Sequence, residues 1–331
     1  MFTDVALASL AERLSQSRGI AAKADIASVA AVLNLSGSDV IAVGDDCAAI
    51  PDGDGYTLFA IEGFMNEFVA ADPWFAGWCG AMVNISDVAA MGGRPTAIVN
   101  AIWSNGADEA GPILEGLKAG AKTFGVPVIG GHTNVRSSQS QFAVAILGRA
   151  KRLLTSFDAR PGDKLIAAID LRGRYREHFA NWEAATDAPA ERLRGDLEIL
   201  PSIAEAGLAL AAKDISQGGI VGTAAMLAEC SRVAMTLDVE AIPRPEGAPL
   251  ERWLLTFPSF GYLLSAKTEC VDEILSRFQR RGISAAAIGE VGVGTSVDIC
   301  AGSSHATVWD FAAKPLIGCA PGQSRQQRNV A

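Results

Sequence analysis

The chain has 331 residues, a length that favours two domains, and its 49% hydrophobic and 20% charged residues are typical of a globular rather than a disordered protein. The formal net charge is -9 and no lysine- or arginine-rich stripe occurs, which argues against nucleic acid as a partner. No apolar run approaches the roughly 18 residues that a membrane span requires, so no membrane association is expected.

The six cysteines are scattered along the chain, without a CxxC pair or a zinc-ligand spacing. We interpret them as small buried thiols in a reducing compartment. The first residues carry an early acid and no basic segment, unlike a signal peptide. Together these features predict a cytoplasmic protein.

Hydrophobic periodicity in the first half predicts alternating strands and helices, an α/β pattern. The expected elements are helices 6–15 and 26–33, strand 39–43, a turn at 51–55, strand 56–61, a helix ending at Gly92, strand 96–103, helix 108–124, and strands 126–129 and 142–148.

The second half begins after a change of character over 153–163. We expect strands 164–169, 233–239, 261–266, 284–288 and 296–300, and helices over 175–194, 199–212, 218–230 and 270–281. These elements predict domains at 1–155 and 156–320, followed by a polar tail at 321–331 that is expected to be disordered.

The stretch GAMVNISDVAAMGGRP, residues 80–95, is the most informative in the chain. Read as a helix, it places Asn84 and Asp87 on one face, one turn apart, opposite an apolar stripe. The helix is predicted to stop at Gly92 and Gly93. An acid and an amide in this arrangement suit a cation, although an ordinary solvated polar face is an equal alternative.

Several other acids follow short apolar runs or occupy turns. Carboxylates that converge from separate elements suit a magnesium–phosphate site, because Mg²⁺ takes oxygen ligands and retains much of its shell as water and phosphate. The alternative for each acid is an ordinary turn carboxylate. The acids are Asp45, Asp46, Glu62, Asp87 and Asp214.

Glycines recur beside these acids at Gly44, at Gly130 and Gly131, and at Gly218 and Gly219. Glycine lets a backbone amide approach a phosphate closely, and the last pair would open a helix whose N-terminus favours anions. The alternative for each is an ordinary turn glycine without a binding role.

His132 directly follows Gly130 and Gly131, the best placed of the three histidines. Three roles are open for it: a ligand, a general base or an ordinary loop histidine. Two other glycine-containing segments, at 120–123 and 289–294, lack the order and the context of nucleotide-binding loops. No GxSxG or HExxH occurs, which disfavours a serine hydrolase or a zincin.

Four motifs together resemble the aminoimidazole ribonucleotide (AIR) synthetase-like superfamily, also called PurM-like. This superfamily includes thiamine-monophosphate kinase, hydrogenase maturation protein E, selenide water dikinase and the purine synthetase itself. The motifs are GDDCAAI at 44–50, NISDVAAMGGRP at 84–95, GGHT at 130–133 and KDISQGG at 213–219. The first two resemble the kinase most, whereas the last is more similar to the synthase-related branch.

The resemblance implies an α/β (α+β) two-domain fold. Its N-terminal domain would form a barrel-like sheet across a two-fold axis in a homodimer, beside a C-terminal α/β domain. It also implies ATP, with phosphates held by magnesium ions and acidic residues.

Carried over to this chain, the resemblance implies three sets of site residues. The metal ligands would be Asp46, Glu62, Asp87 and Asp214. The nucleotide contacts would be Gly44, Asp45, Asn84, Gly130, Gly131, Arg152 (or Arg149), Ser216, Gly218 and Gly219. The catalytic residues would be Asp87 and Asp214, and in a phosphotransferase we expect His132 to act with them as a base or a phosphate contact.

Three positions depart from the kinase pattern. His132 and Gln217 replace two aspartates, and Val69 replaces a substrate-contacting histidine. These changes argue against thiamine monophosphate as the substrate, but they leave the expectation of ATP and magnesium binding unchanged.

Three functions therefore remain open. The first is an ATP- and Mg²⁺-dependent phosphotransferase with a small-molecule phosphoryl acceptor. The second is a cyclo-ligase that phosphorylates a carbonyl or amide oxygen. The third is a nucleotide-binding partner protein without turnover.

Overall fold

The computed structural model describes residues 2–33, 35, 41–176 and 179–319, which form two compact units. The small unit comprises Cys47–Leu153 and Ala185–Glu205. The large unit comprises the chain up to Asp46, Leu154–Ala184 and the chain from Ala206 onward. Both units combine a sheet with helices, which confirms the predicted α/β class. The boundary near residue 155 stays a prediction.

The small unit contains a five-stranded sheet in the order β1-β2-β5-β3-β4, in which β3 and β4 are parallel and the other neighbours antiparallel. Its elements are β1 (Ala48–Asp52), β2 (Gly55–Phe64), α4 (Asn66–Ala71), α5 (Pro73–Ala90), β3 (Arg94–Asn105), α6 (Ala107–Phe124), β4 (Val128–Asn134), β5 (Arg136–Ala150), α7 (Ala190–Leu197) and α8 (Ile199–Glu205).

Helix α5 lies between the sheet and α6, and glycines make this close packing possible. A Cβ atom on Gly77 would lie 1.9 Å from the carbonyl oxygen of Ile113 in α6. On the sheet side, a Cβ atom on Gly80 would lie 2.7 Å from the ring of Phe142. The helix is consequently buried nearly all round.

The opposite face of this sheet is apolar and exposed. Strand alternation puts Phe59, Ile61, Val99 and Leu147 on this face, and their exposed fractions are 46%, 66%, 39% and 40%. The helices α5 and α6 cover only the other face, on which Leu58 and Ile98 are buried.

The large unit contains a seven-stranded sheet in the order β15-β14-β10-β13-β6-β12-β9 and a small sheet in the order β11-β8-β7. Its elements are α1 (Asp4–Ser15), α2 (Arg18–Lys23), α3 (Asp25–Val32), β6 (Lys164–Ile169), β7 (Arg174–Tyr175), β8 (Asn181–Glu183), β9 (Ala211–Asp214), α9 (Gly219–Ser231), β10 (Ala234–Asp238), α10 (Leu250–Leu254), β11 (Phe257–Pro258), β12 (Gly261–Ala266), α11 (Val271–Gln279), β13 (Ser284–Gly292), β14 (Ser296–Ala301) and β15 (Ser304–Asp310).

Most predicted elements are confirmed, but two helices in the second half were wrong. The segment 175–194 contains β8, whose Trp182 packs edge-on against Trp253, and becomes helical only in α7. The helix predicted over 199–212 ends at Glu205, since Gly207 takes a left-handed φ of +67°, and β9 follows by pairing with β12.

The short helices α2, α4 and α10 were not predicted, and further differences concern the edges of the sheets. Strands β1 and β15 were missed, and Pro51 is tolerated in β1 because that strand lies at a sheet edge. Residues 41–43 do not form the predicted strand, and 39–40 lie outside the described residues. The predicted disordered tail, 321–331, also lies outside them.

Candidate functional site

The GDD loop of the large unit has a shape that only glycine permits at its start. Gly44 has a φ of +115°, and a Cβ atom there would lie 2.7 Å from Cβ of Cys319. Asp45 follows, and its Oδ1 accepts hydrogen bonds from Ser156 Oγ at 2.6 Å and from the Asp46 N–H at 3.0 Å. Its Oδ2 accepts the Ser156 N–H at 2.9 Å. Asp45 thus fastens the loop to Ser156.

Asp46 points into a buried cluster at the end of β9. Its Oδ1 forms an ion pair with Nζ of Lys213, and the side chains are only 4% and 6% exposed. Its Oδ2 accepts the backbone N–H of Asp214 at 3.3 Å. Carboxylate oxygens of Asp46 and Asp214 also lie within 4.8 Å of each other. Two acids and one lysine therefore share a small buried volume.

The charges in this cluster influence one another strongly. Burial raises the pKa of Asp45 to about 6, the Asp46 carboxylate adds to the rise, and Lys213 opposes it. Burial alone would lower the pKa of Lys213, but the carboxylates of Asp46, Asp45 and Asp214 raise it above its ordinary value. The Lys213 side chain is therefore a fixed ammonium ion at neutral pH.

The loop between Asp214 and α9 is held in one conformation from several sides. Gly219 has a φ of +65°, and a Cβ atom there would lie 2.2 Å from the carbonyl oxygen of Leu254. Thr223 Oγ1 donates to the carbonyl of Asp214 at 3.3 Å and accepts the Ser216 N–H at 3.4 Å. A rigid glycine turn that opens a helix suits an anion such as phosphate.

The same loop packs against α2. A Cβ atom on Gly19 would lie 2.1 Å from the carbonyl oxygen of Gln217, so only glycine allows this approach. The Gln217 residue is exposed. The backbone of the loop is therefore fixed while the side chain that replaces the kinase aspartate faces solvent.

Glu229 of α9 ties the segment after β15 to the core of the large unit. Its buried carboxylate accepts the backbone N–H groups of Leu316, Ile317 and Gly318 at 2.9, 2.7 and 3.3 Å. This segment leads to Cys319, which packs against Gly44 at the start of the GDD loop. Glu229 therefore supports the GDD loop indirectly.

We expect Glu229→Ala to loosen residues 316–318. Hydrogen bonds to a charged group contribute about 1.5–3 kcal/mol each, so loss of the carboxylate should speed amide exchange there about a hundredfold. Hydrogen exchange with mass spectrometry measures this, and Glu240→Ala is the control because Glu240 is exposed in the same unit. Equal exchange in both variants would contradict the role given to Glu229.

In the small unit, α5 carries the second pair of predicted ligands. Asn84 and Asp87 are 0% and 4% exposed, so the ordinary solvated face is excluded. Asn84 Nδ2 donates to the carbonyl of Gly80 at 2.9 Å, which fixes the orientation of the amide. Asn84 Oδ1 is buried without a hydrogen-bond partner among the described residues. A buried oxygen in this state is suited to a ligand or a cation.

The sheet of the small unit separates two other predicted residues. Glu62 is half-buried on the face that α5 covers, as the alternation with Leu58 requires. His132 pairs with Ala101 and lies on the exposed face, where its ring is 5.5 Å from that of Trp103. Within this unit, the structure therefore places Glu62 on the side of Asp87 and His132 on the opposite side.

The remaining predicted residues of the small unit are exposed. Gly130 and Gly131 lie in the exposed strand β4, and a Cβ atom on Gly131 would lie 2.3 Å from the carbonyl oxygen of Asn100. Arg152 is exposed after β5. Its alternative, Arg149, pairs with Asp52 at 2.5 Å. All four residues are exposed, unlike the buried Asn84 and Asp87.

The large unit, by contrast, brings the GDD loop together with the KDISQGG loop. Sequence reasoning missed two members of this cluster, Lys213 and Ser156. The lysine could have been noticed as the charged residue that begins KDISQGG, whereas the serine carries no signal in the sequence.

Two family domains match this chain in order. Residues 44–150 match the N-terminal domain, and residues 160–299 the C-terminal domain, of AIR synthase related protein. The chain belongs to the AIR synthase related protein family. The PurM-like resemblance of the four motifs is thereby confirmed.

Two relatives are similar to this chain over most of its length. The uncharacterized protein sll0787 of Synechocystis sp. is 45% identical over 316 residues, 94% of this chain and 98% of that protein. Selenide, water dikinase of Myxococcus xanthus is 27% identical over 334 residues, 85% of this chain and 94% of that enzyme.

Solved structures of the family share the fold. Thermotoga maritima PurL complexed with ATP has a TM-score of 0.72 at 20% identity, over 97% of this chain and 53% of that one. AaThiL complexed with AMPPCP and TMP has a TM-score of 0.64 at 20% identity, over 85% and 94%. This AIR synthase related chain therefore spans about half the length of the PurL chains and nearly the whole of AaThiL.

Among the described residues, no helix is long and apolar enough to cross a bilayer. All six cysteines are free thiols. Burial raises the pKa of the Cys230 thiol well above its ordinary value, so it is not an activated nucleophile.

The residues that the family resemblance assigns to magnesium fit the ion in donor type. Glu62, Asp87 and Asp214 are carboxylates, which are its usual protein ligands. Each unit also offers a buried oxygen without a hydrogen-bond partner among the described residues: Asn84 Oδ1 in the small unit and Ser216 Oγ in the large unit, both predicted as nucleotide contacts. Asp46 fits less well, because Lys213 and the Asp214 N–H already engage both of its oxygens.

Proposed function

We propose that this protein is an ATP- and Mg²⁺-dependent phosphotransferase that acts on a small-molecule acceptor. One observation carries the proposal: the KDISQGG loop joins a buried Asp46–Lys213–Asp214 cluster to a rigid glycine turn at the start of α9. Buried charged groups and a helix N-terminus suit polyphosphate. The likenesses to PurL complexed with ATP and to AaThiL complexed with AMPPCP support ATP as the donor.

Each residue has a separate task in this proposal. In the small unit, Glu62 and Asp87 provide carboxylates for magnesium and Asn84 offers an oriented amide oxygen. In the large unit, Asp214 provides a carboxylate. Ser216, Gly218 and Gly219 receive phosphate oxygens. Bound magnesium would neutralise the phosphate charge that opposes attack by the acceptor. Positioning and charge stabilisation, rather than covalent chemistry on the protein, would supply the rate.

Two of the predicted contacts take a different place in the proposal. Asp45 holds the GDD loop to Ser156, and both of its oxygens are used in doing so. His132 belongs to the exposed face of the sheet beside Trp103. Asp45 is thus assigned to supporting the GDD loop and His132 to the exposed sheet face, and neither is used as a base.

Phosphorus NMR of the purified protein with ATP and magnesium tests the proposal. Thiamine monophosphate is the first acceptor to add, because AaThiL was solved with TMP. A new phosphoryl signal together with ADP, both removed by EDTA, is the expected result with a competent acceptor. ATP that neither binds nor reacts in the presence of magnesium would overturn the proposal.

A ligase reaction is the second candidate, favoured by the exposed Gln217 in place of the kinase aspartate. In that reaction the phosphoryl group is transferred to a carbonyl or amide oxygen, and a nucleophile on the same or another molecule then attacks the carbon and displaces that oxygen as inorganic phosphate. Acceptor labelled with oxygen-18 distinguishes the two functions: a kinase keeps the label on the product, whereas a ligase releases labelled inorganic phosphate. A protein that binds ATP and turns over no acceptor would be the non-catalytic partner.

We also propose a homodimer in which two copies pair their small-unit sheets. The support is the exposed apolar face that includes Phe59, Ile61, Val99 and Leu147. A contiguous apolar surface of this kind on a sheet marks an interaction site.

A further inference from the structure

The cluster that supports the proposed function contains a cation that belongs to the chain itself. Lys213 lies at the end of β9 with its side chain only 6% exposed, and its Nζ pairs with Asp46 Oδ1. Ser156 Oγ is a further acceptor at 3.5 Å. Lysine side chains are rarely buried unless they are paired. Lys213 is buried and contacts two partners, so it is part of the site rather than a surface charge.

Both carboxylate oxygens of Asp46 are engaged. Its second oxygen accepts the Asp214 N–H, and its side chain is 4% exposed. A divalent ion at Asp46 would have to displace the ammonium group and would then leave Lys213 buried beside a second positive charge. Both consequences oppose a metal at this aspartate.

We propose that Lys213 is a built-in counter-cation that occupies the Asp46 end of the phosphate site, where it takes the place of one divalent ion. Asp46 is then the anchor of Lys213 and not a metal ligand. The proposal rests on the proposed function for the phosphate itself, but its claim about Asp46 concerns the resting protein. It can therefore be tested with metal alone.

The test counts Mn²⁺ bound to the full chain without nucleotide, by electron paramagnetic resonance and isothermal titration. Lys213→Met is expected to gain one Mn²⁺ site, or to bind Mn²⁺ about tenfold more tightly, because the freed Asp46 carboxylate then attracts the ion. Adding Asp46→Asn to Lys213→Met should remove this gain. Lys213→Arg keeps the charge and should bind Mn²⁺ like the wild type.

Two further variants make the test decisive. Lys164→Met removes a lysine from the same sheet whose ion pair with Glu290 is solvent-exposed, and it should leave Mn²⁺ binding unchanged. Asp46→Asn alone keeps the size of the side chain and should also leave it unchanged, since Asp46 binds Lys213. This variant serves even if Lys213→Met does not fold.

Unchanged Mn²⁺ binding in folded Lys213→Met, or weaker Mn²⁺ binding in Asp46→Asn alone, would overturn the proposal. ATP turnover by the wild type is measured separately. Loss of the phosphotransferase assignment would therefore appear as absent turnover, and loss of the Lys213 assignment as a changed metal count.

Discussion

Asp87→Asn is expected to lower magnesium-dependent ATP turnover about a hundredfold to a thousandfold while the protein stays folded. The substitution keeps the shape of a buried side chain on α5 and removes only its charge. In the proposed function that charge holds magnesium. Coupled detection of ADP over a range of magnesium concentrations measures the effect, and circular dichroism reports the fold.

The same helix offers a matched control at its N-terminus. Asp72 caps α5 by accepting the Phe75 N–H at 3.1 Å. Asp72→Ala should cost about 1 kcal/mol of stability, as loss of an N-cap usually does, and should leave turnover within a factor of a few. Turnover retained by Asp87→Asn, or lost equally in both variants, would contradict a metal-binding role for Asp87.

The sequence predicts the ligand types of the site better than their connections. Asn84 and Asp87 share a helix face because of their spacing, and the spacing alone is sufficient to predict this. Their burial follows instead from Gly77 and Gly80, which let α5 approach α6 and the sheet, and close approach has no local signature. The solvated alternative could be rejected only once the helix neighbours were known.

The Lys213–Asp46 pair shows more clearly which contacts of the site cannot be predicted from the sequence. The two residues are 167 positions apart, and nothing in either motif predicts contact with the other. Asp45 and Asp46 are identical residues in the sequence, yet one fastens a loop and the other neutralises a lysine. Which neighbour each meets is decided by tertiary packing, so chain order predicts a cluster of acids and not its internal pairing.

The secondary-structure elements also differ in whether the local sequence or a distant pairing partner determines them. Helix α1 has a clear apolar period, and α5 is closed by Gly92 with a φ of +73°, so both were predicted. Strand β8 has only three residues and depends on pairing with β11, more than seventy positions later in the chain. Short strands of this kind have too little periodicity to be recognised before their partner is known.

Ile61→Asp is expected to convert the proposed homodimer into a folded monomer. Ile61 is 66% exposed in β2, near Phe59 and Leu147, so the fold of one chain does not depend on it. In a dimer the aspartate would be buried against the partner's apolar face, and an unpaired buried charge should weaken association about a hundredfold or more. Sedimentation velocity at micromolar protein concentration distinguishes the two states.

Val293→Asp is the control for this change, because Val293 is a 90% exposed apolar residue in the large unit. It introduces the same charge away from the sheet face and should leave the dimer intact. A wild-type chain that sediments as a monomer would contradict the dimer, and so would an Ile61→Asp variant that still dimerises. If turnover falls together with dimerisation, the sheet face that carries His132 and Trp103 contributes to the site; if turnover persists in the monomer, one chain contains the whole of it.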